Sequence, residues 1–453
     1  MTRFHFTHCL LPAGWAKDVL IEADAEGWIT SVTTGIARPD VDYSGTIALP
    51  GVPNCHSHAF QRAMAGLTER RGQSDDSFWT WRDLMYRFVD QVTPEDLAAI
   101  ATLAYMEMLE AGFTSVAEFH YLHHAPGRRP FDNIAEMSLA ILEAATDSGI
   151  GMTLLPVFYE SSGFGGAEPG EAQGRFANTP EMFAQLVEGA TTAAKTVSDT
   201  VVGIAPHSLR AATPQGLSEI LDQSPDGPVH IHIAEQQQEV EDCLAWSGAR
   251  PVEWLFDQAS VDDRWCLVHA THMTDAEMKA LAQSGAVAGL CPVTEANLGD
   301  GIFAADMYLE LNGHMAIGSD SNVRISAAEE LRLLEYGQRL KRQGRNVLAK
   351  PGGSTGRHLL DTVLTGGAQA SGRAIGKIAP GSRADIVSLD DRHPSLMARS
   401  GDDILDGWIF AGDNSVVRDV WVGGKHLVHE GRHVAREQNL ARYAHVLKKL
   451  VAA

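Results

Sequence analysis

Eight apolar, strand-like runs recur through the middle of the 453-residue chain, and each is followed by a longer stretch with helix-like patterning. They are TIALPGVPNCHSH (46–58), FTSVAEFHY (113–121), GMTLLPVFY (151–159), VVGIAPHSL (201–209), PVHIHIAE (228–235), WCLVHATH (265–272), AVAGLCPV (286–293) and HMAIGSDSN (314–322). Alternation of this kind predicts parallel strands, because a parallel neighbour is reached only through a crossover of a dozen or more residues. The interval from His58 to Asp320 holds seven crossovers of roughly 37 residues, the size expected of a (β/α)8 TIM-type barrel in the α/β class. A doubly wound sheet satisfies the same alternation. The clearest helix is TPEDLAAIATLAYMEMLEAG (93–112), which opens on a Thr cap followed by Pro and acidic residues.

The two ends of the chain have a different texture. KDVLIEAD, GWITSVTTG and YSGTIALPG near the start, and GKIAPGSRADIVSLD and SVVRDVWVGGKHLVHEG near the end, are short strands punctuated by Gly and Asp. Both ends are therefore expected to build one small β-sandwich, residues 1–49 and 376–453, around a catalytic barrel at 50–375. The Gly-rich segment 163–176 reads as a lid or as a surface insertion.

Composition narrows the function. Hydrophobic residues are 44% and charged residues 21%, ordinary for a globular protein. A net charge of −22 repels phosphate backbones and anionic membranes, which argues against a nucleic-acid or membrane partner and for a small molecule. The five cysteines lack CxxC spacing and are too sparse for a disulfide framework, so a reducing cytoplasm is expected. The opening MTRFHFTHCLLPAGWAKDV has neither a signal-peptide pattern nor a spanning run.

In a (β/α)8 barrel the chemistry sits at the C-terminal ends of the strands. His56 and His58, two apart on an extended strand, face the same side and can bind one ion. His232 at the end of the fifth run and Asp320 at the end of the eighth complete a set suited to a divalent metal, best matched by zinc, with iron or manganese as substitutes. His230 shares a face with His232 but lies one layer deeper and is expected to be a packed core residue. Bound zinc lowers the pKa of its water to about 7. Asp320 can accept a proton from that water and Glu235 can carry it to a leaving nitrogen, while His269 can polarise water or substrate. His272 reads as a loop residue. The fourth run ends in PHSLR, with His207 and Arg210 and no lysine to bridge two ions, which points to one metal. Arg82, in the aromatic stretch FWTWRDLMY, needs a carboxylate partner, either a ligand or an internal one such as Asp83 or Glu69.

PGVPNCHSHAFQ, HIHIAEQ, LVHATH and GSDSN, with GKIAPGSRADIV near the end, resemble the amidohydrolase superfamily in its deaminase and chlorohydrolase branch, along nearly the whole chain. Within the branch, HSHAFQRAMAG, FWTWRDLMY and APHSLRA resemble the members that convert N-formimino-L-glutamate to N-formyl-L-glutamate and ammonia in bacterial histidine degradation. The resemblance implies one zinc on His56, His58, His232 and Asp320, with Glu235 and His269 as catalytic partners. It implies a homodimer, and a recognition shell of Gln61, Arg82, Tyr121, His207 and Arg210. Two arginines suit a substrate with two carboxylates.

Two other readings compete. An aminohydrolase of a purine, pterin or S-adenosylhomocysteine-type ring would share the metal ligands, Glu235 and His269 but would have no use for two arginines. A non-catalytic scaffold would be expected to have lost the ligands that are present here.

Overall fold

The computed structural model describes residues 1–37, 39–69, 78–223 and 226–452. The chain begins with strands β1 (Thr2–Leu11), β2 (Gly14–Ala23), β3 (Ile29–Thr33) and β4 (Tyr43–Pro50). The central strands follow: β5 (Val52–Ser57), β6 (Phe113–His120), β7 (Gly151–Phe158), β8 (Thr200–Val202), β9 (Ala205–Pro206), β10 (Val229–Ile233), β11 (Trp265–His269), β12 (Val287–Leu290) and β13 (His314–Ile317). Near the end come β14 (Ile386–Leu389), β15 (Val417–Val422), β16 (Lys425–His429) and β17 (Arg432–His433).

Strands β5 to β8 form one parallel sheet, with β9 also beside β7, and β10 to β13 form another. Isolated parallel bridges Ile204–Val229 and Ser208–His232 join them on one side, and Ser57–Asp320 on the other. Parallel strands alternating with helices fit a TIM-type barrel. Strands β5, β6, β7, β10, β11 and β12 are buried along their whole length, as in parallel sheets covered on both faces.

Two of the expected runs divide. TIALPGVPNCHSH is two strands separated by Gly51, where a Cβ would lie 2.1 Å from Thr114 Oγ1, so the chain can change sheets only with glycine there. Its first half, β4, pairs with β1 and β14, and only its second half joins the central strands. VVGIAPHSL breaks at Gly203, where a Cβ would meet Pro228 O at 2.2 Å.

Both ends of the chain meet in an eight-stranded sheet ordered β17-β16-β15-β14-β4-β1-β2-β3. Its first strand went unread in the sequence. Phe4 and Phe6 are buried on one face, but His5 and His8 interrupt the apolar pattern.

Three helices are begun by the same Thr-Pro device. Thr93, Thr179 and Thr213 accept from the N–H groups of Asp96, Met182 and Gly216 at 3.3, 3.3 and 3.0 Å. Each is followed by a proline, whose missing N–H costs nothing at that position. The helices span Pro94–Glu110, Pro180–Ala194 and Pro214–Asp222. All five cysteines are buried free thiols. Among the described residues no helix is long and apolar enough to cross a membrane.

Candidate active site

The ends of β5, β10 and β13 converge on one point. His56 Nε2 lies 3.2 Å from His58 Nε2 and 3.0 Å from His232 Nε2. Asp320 Oδ1 lies 3.6 Å from the first and 3.4 Å from the second. The first and last central strands are tied together here through their backbones: His58 N–H donates to Asp320 O at 2.9 Å and Asp320 N–H to His56 O at 3.0 Å. Asn322 reinforces the tie, its amide donating to the carbonyls of His58 and Asp320 at 3.2 and 3.0 Å. One layer below, Asn54 pairs with Ser319 through two hydrogen bonds of 2.7 and 3.1 Å.

Two of the three opposite ring nitrogens are already engaged. His58 Nδ1 donates to Phe119 O and His232 Nδ1 to His207 O, each at 3.0 Å. Their Nε2 lone pairs therefore face one another and His56, a repulsive arrangement unless a cation sits between them. Burial keeps the rings neutral, pushing His58 down to about 3 and His56 and His232 well below the ordinary imidazole range. Burial also pushes Asp320 up to about 7. Four buried groups thus lack a positive charge, and donor atoms 3.0 to 3.6 Å apart match the edges of a tetrahedron with metal–ligand bonds of about 2.1 Å. His230 stands apart from this set, buried and bonded to Ala370 O at 2.8 Å.

A second cluster adjoins the first. His269, the last residue of β11, has Nε2 at 3.7 Å from both Asp320 Oδ2 and Glu235 Oε1, and Nδ1 at 3.2 Å from Glu295 Oε1. Burial opposes a charge on His269, but Glu235, Glu295 and Asp320 outweigh it and raise its pKa well above the usual range. Asp320 thus presents one oxygen to the histidine trio and the other to His269. Asp300 lies within 4.8 Å of Glu235 and His269, and burial with Glu235 beside it pushes its pKa up to about 9. Positive φ values at Ala234 (50°), His269 (67°) and Asp320 (46°) turn the chain sharply at three strand ends. For side-chain-bearing residues that conformation costs on the order of 1 kcal/mol each and marks sites that the surrounding structure holds in place.

Above both clusters is a narrow cavity of about 50 Å³. Gln61, Arg82, Tyr121, His207 and Arg210 all line it, with His58, His232, Glu235, His269 and Asp320 at its floor. Gln61 donates to the Tyr121 hydroxyl at 2.9 Å. Arg82 lies over the Tyr86 ring, 5.5 Å from its centroid. Burial works against the Arg210 charge, but Glu239 and Glu235 hold its pKa above the ordinary value. The Asp83 side chain lies outside the described residues, and Glu69 accepts from Asn297 at 2.8 Å. His272 lies in the turn after β11, bonded to Asp300 O at 2.7 Å.

Residues 47–427 match the model of the Amidohydrolase family. The chain belongs to the amidohydrolase family. This amidohydrolase is 49% identical over 453 residues, 100% of both chains, to the formimidoylglutamate deiminase of Pseudomonas aeruginosa. It matches a crystal structure of an amidohydrolase from Brucella melitensis with a TM-score of 0.95 and 51% identity, covering 100% of each chain. At 20% identity it shares its fold, with a TM-score of 0.83 over 100% of this chain and 98% of the other, with an adenosine deaminase from Xanthomonas campestris whose structure holds bound zinc.

Several residues of this amidohydrolase's site went unread in the sequence. Tyr86, Tyr159 and Phe176 line the cavity, and Glu239 accepts the Glu235 N–H at 3.1 Å. Glu295 and Asp300 follow the seventh run, in CPVTEANLGD, and the rule that directed attention to the other strand ends applied there too. Phe176 closes the Gly-rich segment 163–176, so that segment supplies a wall of the cavity.

Proposed function

We propose that this amidohydrolase hydrolyses N-formimino-L-glutamate to N-formyl-L-glutamate and ammonia, a step of histidine degradation. One zinc ion would be held by His56, His58, His232 and Asp320. The observation that carries the reading is the placement of two guanidinium groups, Arg82 and Arg210, in the same cavity as the His-His-His-Asp cluster. The substrate has two carboxylates, and arginine forks bind carboxylates with paired, charge-assisted hydrogen bonds. Full-length identity of 49% to a formimidoylglutamate deiminase supports the same substrate.

A divalent ion bound there supplies Lewis acidity and acidifies a water to a pKa of about 7. Asp320 Oδ2 takes a proton from the attacking water as oxygen adds to the amidine carbon, and Glu235 Oε1 gives its proton to the imino nitrogen, leaving a tetrahedral adduct with an amino and a hydroxyl group. The proton held by Asp320 then passes to the amino nitrogen, the bond from carbon to that nitrogen breaks as the hydroxyl proton returns to Glu235, and ammonia leaves a formamide behind with both carboxyl groups restored. His269 Nε2, equidistant from both carboxylates, steadies the group between them. Gln61, Tyr121 and His207 orient the formimino end, while Arg82 and Arg210 hold the carboxylates.

The same reading takes the bridged parallel sheets as a closed (β/α)8 barrel over 50–375, with 1–49 and 376–453 as a small β-sandwich domain. The bridge between Ser57 and Asp320 and the shared sheet of both chain ends support it. It also takes the protein as a cytoplasmic homodimer, in keeping with five buried thiols, and light scattering tests the assembly.

Ammonia release from N-formimino-L-glutamate, run beside guanine, S-adenosylhomocysteine and a chelator-treated control, tests the reaction. Release from the first substrate alone, lost with the metal, is expected. Release only from a ring substrate would keep the metal site and overturn the dicarboxylate assignment.

A further inference from the structure

Three imidazoles of the active site, His58, His232 and His269, are steered by what their second nitrogen touches. His58 and His232 give that nitrogen to backbone carbonyls, but His269 gives it to a carboxylate. We infer that Glu295 is a positioning residue, which fixes the ring of His269 so that Nε2 faces the gap between Asp320 and Glu235 where the leaving nitrogen must sit. The inference rests on the reading of His269 as a partner in the deaminating step.

The geometry is tightly built. Glu295 Oε1 accepts from His269 Nδ1 at 3.2 Å and from the Cys291 N–H at 2.8 Å, so the carboxylate is anchored before it reaches the ring. The Glu295 carbonyl in turn accepts the Asp300 N–H at 2.9 Å, which ties the same residue to the loop that carries Asp300 beside Glu235. His269 and Glu295 are 1% and 5% exposed, so the bond is shielded from bulk solvent.

The ring needs such a hold. It sits at the end of β11 with φ of 67°, stacked on His232 at 5.6 Å and 11°. Rotation of the ring would carry Nε2 out of the gap, and a carboxylate anchored at Nδ1 prevents it. A carboxylate behind a histidine orients its ring in this way, and loss of such partners costs about 10- to 100-fold in function.

The experiment compares Glu295→Ala and Glu295→Gln with His269→Gln and the Glu295→Ala/His269→Gln double variant. All are zinc-loaded, and each is assayed on whichever substrate of the panel the wild type deaminates. Glu295→Ala is expected to lower kcat about 10- to 100-fold, with KM and zinc stoichiometry unchanged. The double variant should be no worse than His269→Gln alone, because both changes break one unit. Glu295→Gln should recover most of the loss, since the Cys291 N–H keeps the amide oxygen turned toward the ring. Nitrogen-15 spectra of the histidines, with the His269 signals identified by their absence in His269→Gln, should show Nδ1 protonated in the wild type and altered in Glu295→Ala. If the wild type proves silent on N-formimino-L-glutamate, the substrate reading fails while these spectra still decide the role of Glu295. Unchanged His269 signals, a loss that falls on KM or zinc content, or effects that add in the double variant would each overturn it. Should the alanine variant not fold, Glu295→Asp, shorter by one methylene, takes its place with the same readouts.

Discussion

The buried guanidinium of Arg175 grips the carbonyl oxygens of Val89 and Val92, the latter at 2.8 Å, at the end of the helix Phe78–Val89 that carries Arg82 and Tyr86. It also donates to the His124 carbonyl, at 2.9 Å from Nε and 2.7 Å from Nη2. One side chain from the Gly-rich segment thus holds the helix that brings an arginine to the cavity.

Replacing Arg175 should therefore be felt at the substrate as well as in stability. Arg175→Lys keeps the charge but cannot reach several carbonyls at once. It is expected to cost about 3 kcal/mol of stability and to raise KM by more than kcat falls. Thermal unfolding and steady-state kinetics check both parts, and an unchanged KM would show that the helix holds its place without the clamp.

Glu235→Gln and Asp320→Asn should each lower turnover at least about a thousandfold while the fold persists. They should separate on metal content, since Asp320 faces the histidine trio and Glu235 does not. Zinc stoichiometry and circular dichroism measured with kcat test this, and retained activity in either would sink the assignment.

Arg210→Met should raise KM for N-formimino-L-glutamate about 30- to 100-fold, the worth of a charged hydrogen-bonded contact. The same change should leave zinc content alone. A normal KM would place the substrate carboxylates elsewhere.

Removal of the metal should expose the repulsion among His56, His58 and His232. Chelator-treated protein is expected to melt roughly 5 °C lower, with recovery on adding zinc, because an ion bound only by the folded state stabilises it by mass action. Calorimetry before and after reloading reads the shift.

Glu118 makes stability depend on pH. Burial pushes its pKa to about 8 even though it accepts the Ala59 N–H at 2.7 Å. A raised folded-state value means the folded protein binds the extra proton. Its contribution is complete below the unfolded value near 4.5 and is lost as pH rises through about 8. Glu118→Gln should flatten the fall in urea midpoint between those limits, and an unchanged slope would show that other groups cause it.

The alternation of buried strands and capped helices was legible because it is written locally, in apolar runs and Thr-Pro caps. The four candidate ligands were legible because polar residues at the ends of such runs stand out. What escaped depends on distant partners. Nothing near Gly51 shows that Thr114 forbids a side chain there. Glu295 looks like any acid early in a helix until β11 brings His269 against it. Arg175 sits in a segment whose glycines suggest mobility, and only folding reveals the three carbonyls waiting for it.

The bonds joining His56 and His58 to Asp320 set an order of events during synthesis. Translation at about 5 to 20 residues per second puts the histidine pair outside the ribosome for tens of seconds before the last central strand exists. Until then the trio lacks its carboxylate, and the first strand lacks the neighbour whose backbone it shares. A fully ligated ion therefore belongs only to a chain whose central strands have all been made.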